Sequence, residues 1–179
     1  KSQPGACDPL FEAWQAAGSL TDDIVWTRLL NTFDAGESGL LQYVARKSSS
    51  QMRPQVDTLL AVYAKPASLG SLSLDADSPY SADIASHGLA SLARTNPEQA
   101  LSYWRQLQQQ LQFNDAQTQY VESAIALRSL FAEEASHSDW LDSALARLQD
   151  DKLTGIRLRW ALKEQGWDAM ERTMGLLSE

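Results

Sequence analysis

The stretch LARTNPEQALSYWRQL, residues 92–107, decides the fold. Within it Asn96 stands directly before Pro97, and Gln99 follows three positions after Asn96. An asparagine side chain accepts a hydrogen bond from the unpartnered N–H groups of a first helical turn. Proline at the first helical position loses nothing, because its missing N–H would have no partner there. Asn96 and Gln99 also have the spacing of a reciprocal capping box, with Asn in place of Ser or Thr. Beyond them Ala100, Trp104, Leu107 and Leu111 recur at three- and four-residue steps. That places them on one side of a helix. One helix ends, a capped turn follows, and a second amphipathic helix begins.

The same grammar repeats on both sides of this stretch. Trp26, Leu30 and Phe33 form one helical row, Tyr120, Ala124, Leu127 and Phe131 another, and Leu153, Ile156 and Trp160 a third. Sustained alternation of apolar and polar residues is missing, so no sheet is expected. Asp8-Pro9 and Ser78-Pro79 repeat the start signal, and Asn114 with Gln117 repeats the capping-box spacing. Gly18, Gly36, Gly70 and Gly166 follow periodic segments, where a residue at positive φ can close a helix. These signals predict helices over residues 9–17, 22–35, 38–47, 54–65, 79–95, 97–112, 115–134, 139–149, 152–165 and 168–177. Residues 66–78 form the longest loop, with room for a short turn of helix. Short links make neighbouring helices antiparallel hairpins. The expected fold is all-α: a right-handed α-superhelix of stacked antiparallel hairpins running as a single segment over residues 1–179. A compact orthogonal bundle is the alternative. A strict tetratricopeptide period of about 34 residues is absent.

Composition narrows the function classes. With 179 residues, 44% of them hydrophobic and 21% charged, the chain can bury a substantial core. Its net charge of −8 and lack of a basic stripe argue against nucleic acid as a partner. No apolar run approaches the about 18 residues of a membrane span. The start at Lys1, without methionine or signal peptide, implies processing or excision from something longer.

Chemistry-bearing motifs are sparse. Cys7 is the only cysteine, read either as a small buried thiol or as half of a disulfide whose partner lies outside this segment. His87 and His137 lie too far apart in sequence for metal-ligand spacing, and no metal or other cofactor is implied. There is no Gly-x-Ser-x-Gly and no phosphate-binding glycine loop. The pairs Glu133-Glu134 and Asp150-Asp151 read as solvated helix ends, and the glutamines at 106, 108, 109, 110 and 112 as a polar helix face. Trp14, Trp26, Trp104, Trp140, Trp160 and Trp167 could stack on sugar rings, but their helical positions point to core packing. The stretch DAGESGLLQ, residues 34–42, holds a Glu37-Ser38 pair. A glycosidic acid needs a shielded pocket and partners for the developing charge. Glu37 instead falls between a glycine stop and a new helix, a favourable place for a negative charge, with Leu40, Leu41 and Val44 toward the core.

The opening KSQPGACDPLFEAW, residues 1–14, resembles the helical superstructure of the soluble lytic transglycosylases of Gram-negative bacteria. The stretches at 92–107 and 156–170 resemble helical-repeat segments of that family in the expected order. The resemblance implies a piece of a U-shaped α-superhelix. In such proteins this superhelix joins a linker superhelix to form a ring, and a lysozyme-like catalytic domain sits on the ring. It implies a periplasmic parent that acts on peptidoglycan glycan strands, cleaving the bond between N-acetylmuramic acid and N-acetylglucosamine to give a 1,6-anhydro product. One glutamate of the catalytic domain serves as acid and then base. That domain is not expected in this chain. The partners implied are the glycan strand and the linker and catalytic domains, with no nucleic acid and no membrane span. The family's catalytic Glu-Ser follows Arg-Gln and precedes a Gly-Leu-Met-Gln well downstream. Here Ala35-Gly36 precede Glu37 and Gly39-Leu40-Leu41-Gln42 follow at once. Glu122-Ser123 lies inside a predicted helix with no such motif after it. No residue carries over as catalytic. The resemblance also implies that Cys7 can pair with an earlier cysteine of the U-shaped domain, before Lys1. The alternative role is a stand-alone helical-repeat module that binds a protein partner.

Overall fold

The computed structural model describes residues 21–177. The predicted helix at 9–17, Gly18, the Asp8-Pro9 start signal, Trp14 and Cys7 lie outside them. The described elements are α1 (Asp22–Ala35), α2 (Ser38–Ala45), α3 (Arg53–Ala64), α4 (Ser81–Ala93), α5 (Pro97–Leu107), α6 (Asp115–Phe131), α7 (Ser138–Leu148), α8 (Asp151–Lys163) and α9 (Trp167–Met174). Two 3-10 turns occupy Pro66–Ser71 and Ala135–His137, and no strand occurs among the described residues. No helix there is long and apolar enough to cross a membrane. The chain divides into two compact units, Lys1–Leu60 and Ala61–Glu179.

In the first unit α1 packs on α2. Thr21 caps α1, its side chain accepting from the Ile24 N–H. The helix ends where Gly36 takes φ 72°, and the Gly36 and Glu37 N–H groups donate back to Phe33 O and Thr32 O. That left-handed turn is the stop expected at this glycine. Val25, Trp26, Leu29 and Phe33 of α1 and Leu41 and Val44 of α2 are buried, while Leu40 is only half-buried. Ser49 Oγ donates to Asp22 Oδ2 at 2.6 Å, tying the link after α2 to the start of α1.

In the second unit α4 lies against α5 and α6, α6 against α7 and α8, and α8 against α9. Asn96 and Asn114 cap α5 and α6 as the sequence predicts. The Asn114–Gln117 box is reciprocal, with both bonds at 2.9 Å. At Asn96 only half of it forms, because the Asn96 N–H donates to Leu92 O instead, while the Gln99 amide donates to the Tyr103 hydroxyl. Ser78-Pro79 forms a turn rather than a helix start, and α4 begins two residues later than expected. The loop at 66–78 does contain a helical turn, Pro66–Ser71.

The glycine stops need two corrections. Gly70 does not sit at positive φ. A Cβ there would run into the far end of the Tyr103 side chain, which packs against it. Gly166 is the N-cap of α9, and the left-handed residue is its neighbour Gln165 at φ 56°. Glu133 (φ 51°) and Gln149 (φ 50°) similarly follow α6 and α7. Among the described residues, three that are not glycine therefore occupy the conformation that glycine takes most easily.

The helical row predicted on α6 also needs correction. Val121, Ile125, Ala126 and Leu130 are its buried apolar positions. Tyr120, Ala124 and Leu127 are half-buried, and Phe131 is 66% exposed. Among the tryptophans, Trp26, Trp104 and Trp160 are core, and Trp140 packs at its edge. Trp167, expected in the core, is 62% exposed on α9.

Candidate functional site

The two Glu-Ser pairs take different places. Glu37 is exposed at the N-cap of α2 and makes no side-chain hydrogen bond to the helix it precedes. Its charge faces the positive end of the helix dipole through solvent. Glu122 is buried in the middle of α6. Both its carboxylate oxygens accept from one guanidinium, Arg147 Nε at 3.1 Å and Nη2 at 2.8 Å. A planar fork meeting both oxygens is the strongest geometry available to such a pair. It spans α6 and α7 and holds the carboxylate in place. Neither arrangement matches a shielded carboxyl facing an open sugar cleft.

Further charged links join the later helices. Arg157 of α8, itself buried, donates from Nε to Asp142 Oδ1 at 2.9 Å and lies 4.7 Å from the centre of the Trp160 ring. Arg172 of α9 approaches the other Asp142 oxygen at 3.7 Å. Asp150 caps α8, its Oδ1 accepting from the N–H groups of Lys152 and Leu153. The two Asp142 contacts join α7 to α8 and α9.

Two of the grooves in the second unit combine room for a ligand with several polar side chains. One, of about 540 Å³, runs beside α5 and reaches the turn before α7. Glu98, Ser102, Arg105 and Gln106 line it, and His137 lies at its edge. His137 is buried, and its Nδ1 stands 2.9 Å from Ser129 Oγ. Burial lowers the imidazole pKa below its ordinary value. The Glu134 carboxylate opposes that shift, Arg105 adds to it and Glu98 opposes it. The other groove, of about 480 Å³, lies between the loop before α4 and the segment before α6. Asp77, Ser78, Gln112, Phe113 and Asn114 are among its lining residues.

No family profile matches the chain. It is 27% identical over 164 residues to the soluble lytic murein transglycosylase of Escherichia coli K12, a match over 90% of this chain and 25% of that protein. An inactive mutant of the lytic transglycosylase Slt from Pseudomonas aeruginosa superposes with a TM-score of 0.83 at 27% identity, over 100% of this chain and 29% of that one. The chain resembles the soluble lytic murein transglycosylases over nearly its whole length. The 70 kDa soluble lytic transglycosylase of Escherichia coli gives a TM-score of 0.81 at 25% identity, over 99% of this chain and 29% of that one. The all-α fold class is thus that of the helical superhelix in these transglycosylase structures. The chain spans about a quarter of the length of the curated transglycosylases it matches.

Sequence reading of this transglycosylase relative located the cap residues and dismissed both Glu-Ser pairs. It missed the Glu122–Arg147 pair. Their signal is weak, since a Glu among apolar neighbours on one helix says nothing about a cation 25 residues away. The grooves were missed as well. Each joins residues from two separate stretches of chain that no local pattern links.

Proposed function

We infer that this chain is a non-catalytic part of the helical superstructure of a longer lytic transglycosylase. Its task is scaffolding: holding linker and catalytic domains in a ring through which a glycan strand is presented. The parent would work in the periplasm, cleaving the bond between N-acetylmuramic acid and N-acetylglucosamine to give 1,6-anhydro-muropeptides. The observation that carries this reading is the pattern of coverage. Nearly all of this chain aligns with only a quarter of a soluble lytic murein transglycosylase. In the longer protein Cys7 would pair with a cysteine preceding Lys1, as the resemblance of the opening motif implies.

The test is digestion of purified peptidoglycan, with anhydro-muropeptides measured by mass spectrometry. The longer protein is expected to release them, and to go on doing so with Glu37→Ala. Residues 1–179 alone are expected to release none. Release by the segment alone, abolished by Glu37→Ala, overturns the scaffold role.

A further inference from the structure

The geometry points to a sugar-binding subsite in the groove between the loop before α4 and the segment before α6, with Phe113 as platform and Asp77, Gln112 and Asn114 as polar partners. Its occupant is an N-acetylhexosamine unit of a glycan strand. The choice of that sugar rests on the function proposed above. The choice of a pyranose rests on the groove itself.

A pyranose has an apolar C–H face and a rim of hydroxyl groups. It is best held by one aromatic ring and several planar polar groups, which is the chemistry present here. Phe113 is half-buried and lines the groove. Its ring meets the wholly buried Trp104 edge-on, at 4.8 Å between centres and 68° between planes. An aromatic held that way is a rigid surface and loses little freedom when a ligand arrives. Asn114 is fixed by the capping box, where its Oδ1 accepts from the Gln117 N–H. Its amide Nδ2 makes no hydrogen bond within the described residues, so two donors stay available. Gln117 is held in turn by its bond to Asp83 Oδ1 at 2.7 Å.

The opposite wall is ordered too. Asp75 Oδ1 accepts from the Asp77 N–H at 3.1 Å, and Asp75 O accepts from the Ser78 N–H at 3.2 Å. The Asp77 carboxylate and the Gln112 side-chain amide make no hydrogen bond among the described residues, and both residues are exposed. A carboxylate accepts from sugar hydroxyls, and a carboxamide both donates and accepts, as an acetamido group requires. The volume of about 480 Å³ falls within the roughly 300–1,000 Å³ of small-molecule clefts. The α5 groove has a similar volume but no Phe, Tyr or Trp among its lining residues.

The experiment titrates residues 1–179 with chitotetraose, a soluble N-acetylglucosamine oligomer, while backbone amide shifts are followed by NMR. Saturable shifts are expected at 76–82 and 111–117, with a dissociation constant on the order of 1 mM. The indole N–H resonance of Trp104 should shift in parallel, because its neighbour Phe113 is the platform. Gln112→Ala and Asp77→Ala each replace an exposed side chain and should leave the fold intact. Each should weaken binding about three- to tenfold, the effect of one lost hydrogen bond. Phe113→Leu keeps an apolar side chain but removes the ring, and should weaken binding at least as much. Gln106→Ala, in the α5 groove, should change nothing. Absence of saturable shifts, shifts confined to the α5 groove, or affinity unchanged in the three variants overturns the subsite. A longer protein that releases anhydro-muropeptides beside a segment that ignores chitotetraose would refute the subsite alone and leave the scaffold role standing.

Discussion

Gly88 shows how much a single residue can fix. It is buried in α4, and a Cβ there would stand 2.5 Å from Val62 Cγ1 and 2.7 Å from Leu69 Cδ1. Val62 is stiff about its first side-chain bond and cannot swing away. Gly88→Ala should therefore destabilise the protein by about 1–3 kcal/mol, although alanine is the better helix former. Urea unfolding of the two proteins decides it, and an unchanged or raised midpoint would count against the close packing. The sequence offers no hint of this, because a glycine inside a periodic stretch looks like a weak spot. Gln149 gives the opposite case. At φ 50° its side chain is strained, and glycine is not. Gln149→Gly is expected to raise stability by about 0.5–1 kcal/mol, read from the same urea curves. At Glu122 the risk lies in leaving one partner behind. Arg147→Ala strands a buried carboxylate and should cost about 1–3 kcal/mol. Replacing both Glu122 and Arg147 with methionine should recover most of that loss. A double variant as unstable as Arg147→Ala would show that the pair is more than a paired burial.

Helix starts were legible from the sequence because asparagine caps and prolines act locally. The predicted starts at 97 and 115 are those observed. Helix ends were less so, since three of them rest on Glu133, Gln149 and Gln165, residues with no preference for positive φ. The inward face of α6 was misjudged for a related reason. Two apolar rows, one with Tyr120 and Leu127 and the other with Val121 and Ile125, lie about one residue apart around the helix. Periodicity alone cannot rank them, and the choice is made by contact with α4, α7 and α8. Burial also separates the helices in stability. α4 buries nine residues, whereas Thr173 is the one buried residue of α9. Amide hydrogen exchange should therefore be fastest in α9 and slowest in α4 within the second unit. Equal protection in both would contradict this.

For the molecule as a whole, the likeness to lytic transglycosylases was legible before structure. The opening fourteen-residue motif carried the family resemblance, and those residues lie outside the described part. The groove chemistry was not legible, because it arises only when chain-distant groups meet. One property of the whole chain follows from His137. Its pKa in the folded protein lies below the unfolded value of 6.5. Between the two values the unfolded chain binds the extra proton, so stability should fall as pH drops through 6.5 toward the folded pKa. Melting temperatures measured from about pH 7 down to about pH 5 should show the decline, and His137→Gln should flatten it. A slope unchanged by that substitution would place its origin in other groups. A second property concerns exposed apolar side chains. Phe131, Leu162, Trp167 and Met174 are each more than half exposed. A stacked array presents such a surface wherever a neighbouring element would lie. Concentration-dependent association of residues 1–179 is expected in sedimentation velocity, and a strict monomer at all concentrations would argue otherwise.

The three left-handed closures at Glu133, Gln149 and Gln165 fall at every sixteenth position. Helix and turn together thus have a constant length in this part of the chain, whatever the side chains between. Such regularity makes the chain extensible. Duplicating residues 134–165 in tandem would insert one more helical pair while preserving the phase of every later turn, whereas duplicating half a helix would rotate all that follows out of register. Growth and loss in this lineage should therefore proceed in whole hairpins.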